Sequence, residues 1–257
     1  MTGLSLPAGS ASCLLLCCES RPTLNFLALD TSTQWCSAAL WLGGRVLARE
    51  DDAGQRHSEL IVPMIDALLR EAGATLRDMQ AIAFGAGPGS FTGVRIACGV
   101  AQGLAFGAGL PVVPVCTLAA LAHGSGSARA IVAMDARIGE IYHACYQREG
   151  DAWHAVHEPG LWRAHDAPLV EGTDWTGCGS AFDVYEAALR SRYGESLVRV
   201  VNGAYPHARD VADLGAAAFR AGGAIAPDDA APLYVRDKVA MTIGERSLRK
   251  AAPTGGG

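Results

Sequence analysis

A polar turn with the residue types of a metal and phosphate site follows the first apolar segment of the sequence. Residues 24–29 are largely apolar and end in Asp30, Thr31, Ser32 and Thr33. Main-chain N–H groups and hydroxyls of such a turn can donate to phosphate oxygens, while the carboxylate of Asp30 can position a metal ion. The same residues also form a good turn whose side chains satisfy one another. The sequence leaves both interpretations open.

A glycine-rich segment, residues 85–93, lies between a predicted strand and a predicted helix. It contains Gly87, Gly89 and Ser90, which could line an anion site at the helix N-terminus. No lysine follows its last glycine, so it is not a P-loop, and its glycine spacing differs from the dinucleotide-binding fingerprint. In the alternative interpretation, glycine supplies positive φ in a tight crossing, and Ser90 or Thr92 caps the helix.

Side chains suited to catalysis or metal binding are hard to find elsewhere. The sequence has no HxxxH, HExxH or CxxC motif, and neither Ser58 nor Ser90 lies in a nucleophile-elbow context. His154 and His157 are close in sequence but have no evident third ligand. We predict that His57 takes part in a helix N-terminal cap rather than in catalysis. We therefore expect no metal ion, no cofactor and no catalytic residue.

Composition and charge narrow the class of protein. The 257 residues are 50% apolar and 18% charged, which predicts a folded chain of one or two domains. The formal net charge is -5 and the only lysines are Lys238 and Lys250, so we do not expect the chain to hold RNA by itself. The eight cysteines are scattered without metal-type spacing, which favours the reducing cytoplasm over a disulfide framework.

The two ends of the sequence are expected to lie outside the folded domains. Residues 1–23 hold an apolar run that is too short to span a bilayer and that lacks a positive n-region. We expect a dispensable extension or an early start codon rather than a signal peptide, and no membrane association. Residues 241–257 are expected to form a flexible tail.

Hydrophobic periodicity predicts an α/β chain in two halves. Residues 24–50 are typical of an antiparallel meander, and residues 57–72 of a helix that starts late or kinks at Pro63. The remaining elements of the first half are a strand over 80–86, a helix over 91–108, a strand over 111–115, a short helix over 117–122 and a strand over 130–135. This βαβαβ series favours a mixed sheet with helices on its faces.

The second half is predicted to open at residue 135. Its expected elements are a strand over 140–146, helices near 181–192 and 210–221, and a last ordered piece over 232–236. Residues 151–174 are charged and contain tryptophan, so they could be strands or loops.

Small residues recur along one side of the predicted helix over 91–108. Gly99, Gly103 and Gly107 are spaced by four residues and are flanked by alanines. Each glycine costs about 1 kcal/mol relative to alanine inside a helix, so the stripe indicates a compensating close contact. That contact could be internal packing against the sheet or an intersubunit surface.

Five segments together resemble the TsaB family. They are residues 27–33, 57–65, 85–102, 133–137 with Ile141 and Tyr142, and 234–240; the string PGSFTGVR at residues 88–95 is the most specific. The resemblance implies an α/β protein of two ASKHA domains (actin-like ATPase, ribonuclease H-like), each a mixed sheet with flanking helices. The implied domains span residues 24–134 and 135–240, and the resemblance leaves open whether the C-terminal segment returns to the first.

The resemblance also implies a role in making threonylcarbamoyladenosine beside the anticodon of tRNAs that read codons beginning with A. In that family TsaB pairs with and activates its catalytic paralogue TsaD, and a small ATPase, TsaE, joins them. The tRNA would be contacted only indirectly through the complex, and the isolated chain would form a homodimer. Metal ligands of the paralogue would fall at Thr117 and Leu121, which cannot serve, so this chain is not expected to catalyse the transfer.

The pairing surface implied by the family is formed by the helices over 57–72 and 91–108 of each partner. The predicted interface residues are His57, Leu60, Ile61, Met64, Ile65, Leu68, Val94, Arg95, Cys98, Gly99, Gln102, Gly103 and Phe106. A vestigial nucleotide site would comprise Asp30, Thr31, Ser32, Gly87, Gly89 and Ser90. The alternative function is an ASKHA-type ATPase or small-molecule kinase with nucleotide at Asp30 and residues 85–93; a metallopeptidase is disfavoured by the missing histidine pair.

Overall fold

Ten strands and five α-helices make up residues 24–150 and 152–235, the part of the chain that a computed structural model describes. The expectations for residues 1–23 and for residues 236–257 lie outside this part. Within it, the strands form two five-stranded mixed sheets. Helices cover both faces of each sheet, which confirms the predicted α/β class.

The first sheet is built from the amino-terminal half of the chain. Its strands are β1 (Asn25–Asp30), β2 (Trp35–Leu42), β3 (Arg45–Asp52), β4 (Ala81–Gly87) and β5 (Val112–Cys116), in the order β3-β2-β1-β4-β5. The first three strands form the predicted antiparallel meander, and β4 and β5 run parallel to β1. The carboxyl ends of β1, β4 and β5 therefore meet at one edge of the sheet, where Asp30 and the glycine-rich segment lie.

Both faces of β1 are buried, because helices pack on both sides of the sheet. Leu27 and Leu29 face α1 (His57–Ala72) and α2 (Phe91–Ala108), whereas Phe26 and Ala28 face α5 (Ala208–Arg220). This alternation follows from the two-residue period of a strand. The helix α5 comes from the end of the described chain and returns to the first sheet.

Two of these helices follow the sequence pattern closely. α1 begins at His57 and continues through Pro63, so the late start expected at that proline is wrong. α2 is long and apolar enough to cross a membrane by length and composition alone. Its alanines Ala97, Ala101 and Ala105, however, are buried in the core between α2 and the first sheet.

The second sheet repeats the strand order of the first. It contains β6 (Arg129–Asp135), β7 (Ile141–Glu149), β8 (Ala152–Trp162), β9 (Trp175–Cys178) and β10 (Leu197–Val201), in the order β10-β9-β6-β7-β8. Strands β6, β7 and β8 form an antiparallel meander, and β9 and β10 are parallel to β6. The helices α3 (Thr117–Gly124) and α4 (Ala181–Tyr193) pack on its two faces.

The position of β6 corrects the sequence analysis. The strand predicted over 130–135 was expected to complete the first βαβαβ series, but it forms the centre of the second sheet. The proposed domain boundary after residue 134 consequently falls within β6. The residues of an apolar strand with both faces buried do not indicate which sheet the strand joins, because the same apolar pattern suits a central strand of either sheet.

Gly215 on α5 and Gly99 on α2 form a matched pair for a stability test. A β-carbon on Gly215 would lie 2.6 Å from the β-carbon of Ala83, whereas one on Gly99 meets no atom within 4 Å. We expect Gly215→Ala to lower the free energy of unfolding by about 1–3 kcal/mol through overpacking. Gly99→Ala should raise it by about 0.5–1 kcal/mol through helix propensity.

Urea unfolding of both variants at low protein concentration measures these changes. Equal effects of the two substitutions would contradict the packing of α5 against β4.

Candidate functional site

Asp30 ends β1 in a fully buried turn. Its Oδ1 accepts hydrogen bonds from the main-chain N–H of Ser32 at 2.9 Å and from the Ser32 hydroxyl at 2.8 Å. Its Oδ2 is buried and has no hydrogen-bond partner. Burial raises the pKa of Asp30 from its ordinary 3.8 to about 7, and the two bonds from Ser32 oppose this only in part. One oxygen of Asp30 is therefore satisfied within the turn, while the other has no hydrogen-bond partner.

The glycine-rich segment packs directly against this turn. The Thr31 hydroxyl donates to the carbonyl oxygen of Gly93 at 2.7 Å, and the main-chain N–H of Ser90 donates to the carbonyl oxygen of Ser32 at 2.7 Å. The Thr117 hydroxyl donates to the carbonyl oxygen of Pro88 at 2.5 Å. The structure thus brings together the predicted nucleotide-site residues from both segments, and it joins them through hydrogen bonds to each other.

Glycine is required here by the closeness of the two chain segments. A β-carbon on Gly93 would overlap the carbonyl oxygen of Thr31, and one on Gly85 would overlap Oδ2 of Asp30. A β-carbon on Gly89 would lie 2.5 Å from the carbonyl oxygen of Ser32. A phosphate cradle needs main-chain N–H groups that point into free space. The space between turn and loop is filled by main-chain atoms and by the Asp30 carboxylate, so a phosphate does not fit between the two segments.

Two further contacts define the ends of the glycine-rich segment. Ser90 is the N-cap of α2, and its hydroxyl accepts the N–H of Gly93 at 3.4 Å. Gly87 has φ = 111°, and the N–H of Leu233 donates to the carbonyl oxygen of Ala86 at 2.7 Å. The segment is therefore the turn that starts α2, with the end of the described chain lying across it.

The predicted interface residues divide into a buried and an accessible set. His57 is 6% exposed, and its Nε2 contacts the carbonyl oxygen of Thr33 at 2.8 Å. This contact links α1 to the turn between β1 and β2, and the His57 side chain does not cap the helix. The other residues that face the core are Ile61, Ile65, Leu68, Val94 and Cys98. These six residues are buried within the single chain, where they pack between the two helices and the first sheet, so their part in a partner surface stays a prediction.

The accessible set lies on the outer side of α1 and α2. It comprises Leu60 and Met64, which are half-buried, and Arg95, Gly99, Gln102, Gly103 and Phe106 on α2. Gln102 already donates through Nε2 to the carbonyl oxygens of Pro227 and Ala230, at 3.0 and 3.2 Å. Phe106, by contrast, is 74% exposed.

The glycine stripe of α2 faces open space. No atom lies within 4 Å of a β-carbon built on Gly99, Gly103 or Gly107. An open groove of about 800 Å³ runs between the end of α1 and α2, with Gly103 and Gly107 in its wall. Internal packing against the sheet, one of the two explanations for the stripe, is therefore wrong.

Metal chemistry finds no support in the described residues. Within residues 24–150 and 152–235, no group of three His, Cys, Asp or Glu side chains is placed to hold a metal ion. Thr117 and Leu121 are buried in the core, and the Thr117 hydroxyl is engaged by Pro88.

Comparison with known proteins identifies the family. A family model described as "TsaD: tRNA N6-adenosine threonylcarbamoyltransferase" matches residues 50–243. The Escherichia coli (strain K12) protein named tRNA threonylcarbamoyladenosine biosynthesis protein TsaB is 38% identical over 232 residues, which cover 84% of this chain and 96% of that protein. The chain belongs to the TsaB family.

Other relatives agree with this membership. A TsaB protein from Haemophilus influenzae is 46% identical over 130 residues, covering 49% of this chain and 55% of the relative. A solved structure of YeaZ from Pseudomonas aeruginosa is 37% identical, has a TM-score of 0.77, and covers 82% of this chain and 99% of that one. A second structure from the same organism, described as similar to peptidase YeaZ, has the same identity and TM-score.

One feature of this TsaB-family surface was missed in the sequence. Phe91, at the start of α2, and Tyr234, near the end of the described chain, are both about half exposed and both contact Arg95. The spacing of four between Phe91 and Arg95 is a visible signal for a side-chain pair on a helix. The approach of Tyr234 has no signal in sequence, since it depends on the return of the chain end.

The buried carboxyl group predicts a pH-dependent stability. Because the folded pKa of Asp30 is raised from 3.8 to about 7, its contribution to stability is present below about pH 4 and is lost as pH rises through 7. In Asp30→Asn this dependence should disappear. The free energy of unfolding of the variant minus that of the wild type should rise by up to about 4 kcal/mol between pH 4 and 8.

Urea unfolding of both proteins across this pH range measures the difference. Any constant cost of the amide cancels from the slope, so a difference that does not change with pH would contradict the buried, unpartnered Oδ2.

Proposed function

We propose that this chain is the non-catalytic subunit of the complex that transfers a threonylcarbamoyl group to the adenosine next to the anticodon of tRNAs reading codons that begin with A. It pairs with and activates the catalytic subunit TsaD, and the ATPase TsaE joins the pair. The names of the relatives support the pathway. The observation that carries the pairing is the open glycine stripe of α2.

The stripe is costly unless something covers it. Three interior glycines lower helix stability by about 1 kcal/mol each relative to alanine, and no contact within the described chain compensates for this. Glycine lets a second helix approach closely, and Phe106 offers an exposed apolar anchor at the end of the stripe. In the isolated chain, a second copy covers the same face, which gives a homodimer.

A scaffold role fits the remaining geometry better than catalysis does. The turn at Asp30 and residues 85–93 are filled by each other's main chain, which weighs against the alternative of an ASKHA-type ATPase or kinase. The chain therefore works without a metal ion or cofactor. Its net charge of -5 favours indirect contact with tRNA through its partners. We place this complex in the cytoplasm.

A bulky residue on the stripe tests the pairing. Gly103→Leu should weaken binding to TsaD by at least about 30-fold, close to 2 kcal/mol, because the added side chain separates the two helices. Isothermal titration with purified TsaD measures the dissociation constant, and tRNA modification by the reconstituted complex should fall in parallel.

The matched control is Ala217→Leu, on the exposed side of α5. Circular dichroism and thermal unfolding should show both variants folded. Binding by Gly103→Leu that equals binding by the control would remove the proposed interface. Tight nucleotide binding or turnover by the isolated chain would favour the ATPase instead.

A further inference from the structure

Arg95 is the only charged residue of α2, and its side chain is held in place. The guanidinium carbon lies 3.3 Å from the centroid of the Phe91 ring and 4.9 Å from that of Tyr234. One guanidinium N–H donates to the carbonyl oxygen of Phe91 at 2.9 Å. Stacking on aromatic rings restricts an arginine while leaving its remaining N–H groups free to donate.

The ring of Tyr234 is brought to Arg95 by the end of the described chain. Gln102 on α2 holds Pro227 and Ala230 through their carbonyl oxygens, and Leu233 is bonded to Ala86. The two rings that hold Arg95, those of Phe91 and Tyr234, are therefore in place in the single chain, without a partner. A pre-ordered arginine loses less side-chain entropy on binding than a free one.

Within the part of the chain that the structure describes, the clamped arginine has no acidic partner. Among residues 24–150 and 152–235, no ion pair involves Arg95. Phe91 and Tyr234 are each 49% exposed, so the cluster is presented to solvent. Aromatic residues and arginine are the residue types that are enriched in interface hot spots. The guanidinium group can also bind a carboxylate through two parallel hydrogen bonds.

On α1 and α2, a second copy offers Arg95 few carboxylates that are not already paired. In a two-fold dimer through this face, α2 meets α2, and α2 contains no acidic residue. On the neighbouring α1, Asp66 and Glu71 are already in ion pairs with Arg70 and Arg49, at 2.7 and 2.8 Å.

We propose that Arg95, held by Phe91 and Tyr234, selects a partner whose facing helix presents a carboxylate, and thereby favours the heterodimer over the homodimer. This inference rests on the proposed pairing with TsaD. It adds that the partner must supply a carboxylate and that Arg95 is the residue that binds this carboxylate. Discrimination arises because a buried arginine without a carboxylate is penalised in the homodimer, while the paired one is stabilised in the heterodimer.

Two dissociation constants test the proposal, one for TsaD and one for self-association by analytical ultracentrifugation. Arg95→Glu should weaken binding to TsaD by at least about 30-fold and change self-association by less than about 3-fold. Arg95→Gln should weaken the heterodimer and tighten the homodimer, because it removes the unpaired charge from the homodimer. The matched control is Arg220→Glu. The guanidinium carbon of Arg220 also lies over an aromatic ring, 5.2 Å from the centroid of Trp41, but Arg220 is on α5, on the other side of the first sheet.

The outcomes separate this inference from the proposed function. Weakening by Gly103→Leu but not by Arg95→Glu would overturn the role of Arg95 and leave the interface intact, whereas no weakening by either would remove the interface itself. Equal weakening of both dimers by Arg95→Glu would overturn the selectivity. Weaker self-association of Glu59→Gln would also overturn it, because it would show that a second copy supplies a carboxylate from the start of α1. A chain that stays monomeric both as wild type and as Arg95→Gln would likewise show that no choice between partners is made here.

Discussion

The contact between residues 85–93 and the turn after β1 is the constraint on which the first half of the structure depends. Gly93 and Gly89 approach the carbonyl oxygens of Thr31 and Ser32 so closely that no side chain fits between them. The bond from Ser90 to Ser32 fixes the residue at which α2 begins, and the Ser90 hydroxyl caps that helix. The start of α2 then determines which of its residues face the sheet and which face outward.

The same contact shows how residues suited to a phosphate site can serve to pack two chain segments together. Glycine-rich turns bind anions when their N–H groups converge on empty space. Here that space is taken by main chain, and Asp30 is buried beneath it. The outer side of α2, by contrast, is open. There, Gly99, Gly103 and Gly107 occupy positions at which alanine would make a more stable helix. Natural proteins retain such a local loss of stability at functional surfaces.

Sequence alone predicts the elements well where local signals mark their ends. The helices over 57–72 and 91–108 have the predicted bounds, and each is followed by a left-handed glycine, Gly73 or Gly109. The spacing of apolar residues on α1 shows that one face is buried but not what buries it. Ile61, Ile65 and Leu68, which this spacing predicts as partner contacts, are part of the core of the single chain. The glycine stripe was the better signal, because glycine contributes nothing to a core and its cost demands an explanation.

The repeated topology shows that a carboxylate at the end of a central strand does not by itself indicate a catalytic site. β1 and β6 hold equivalent central positions in the two sheets, and each ends in an aspartate that accepts the N–H two residues later: Asp30 from Ser32 at 2.9 Å and Asp135 from Arg137 at 3.0 Å. Asp135 also accepts the hydroxyl of Tyr185 at 3.4 Å, whereas the second oxygen of Asp30 is covered by the glycine segment. The aspartate turn is thus a device of the fold that recurs in both halves. It cannot by itself indicate catalysis, and the function has to be argued from the surface that the fold leaves uncovered.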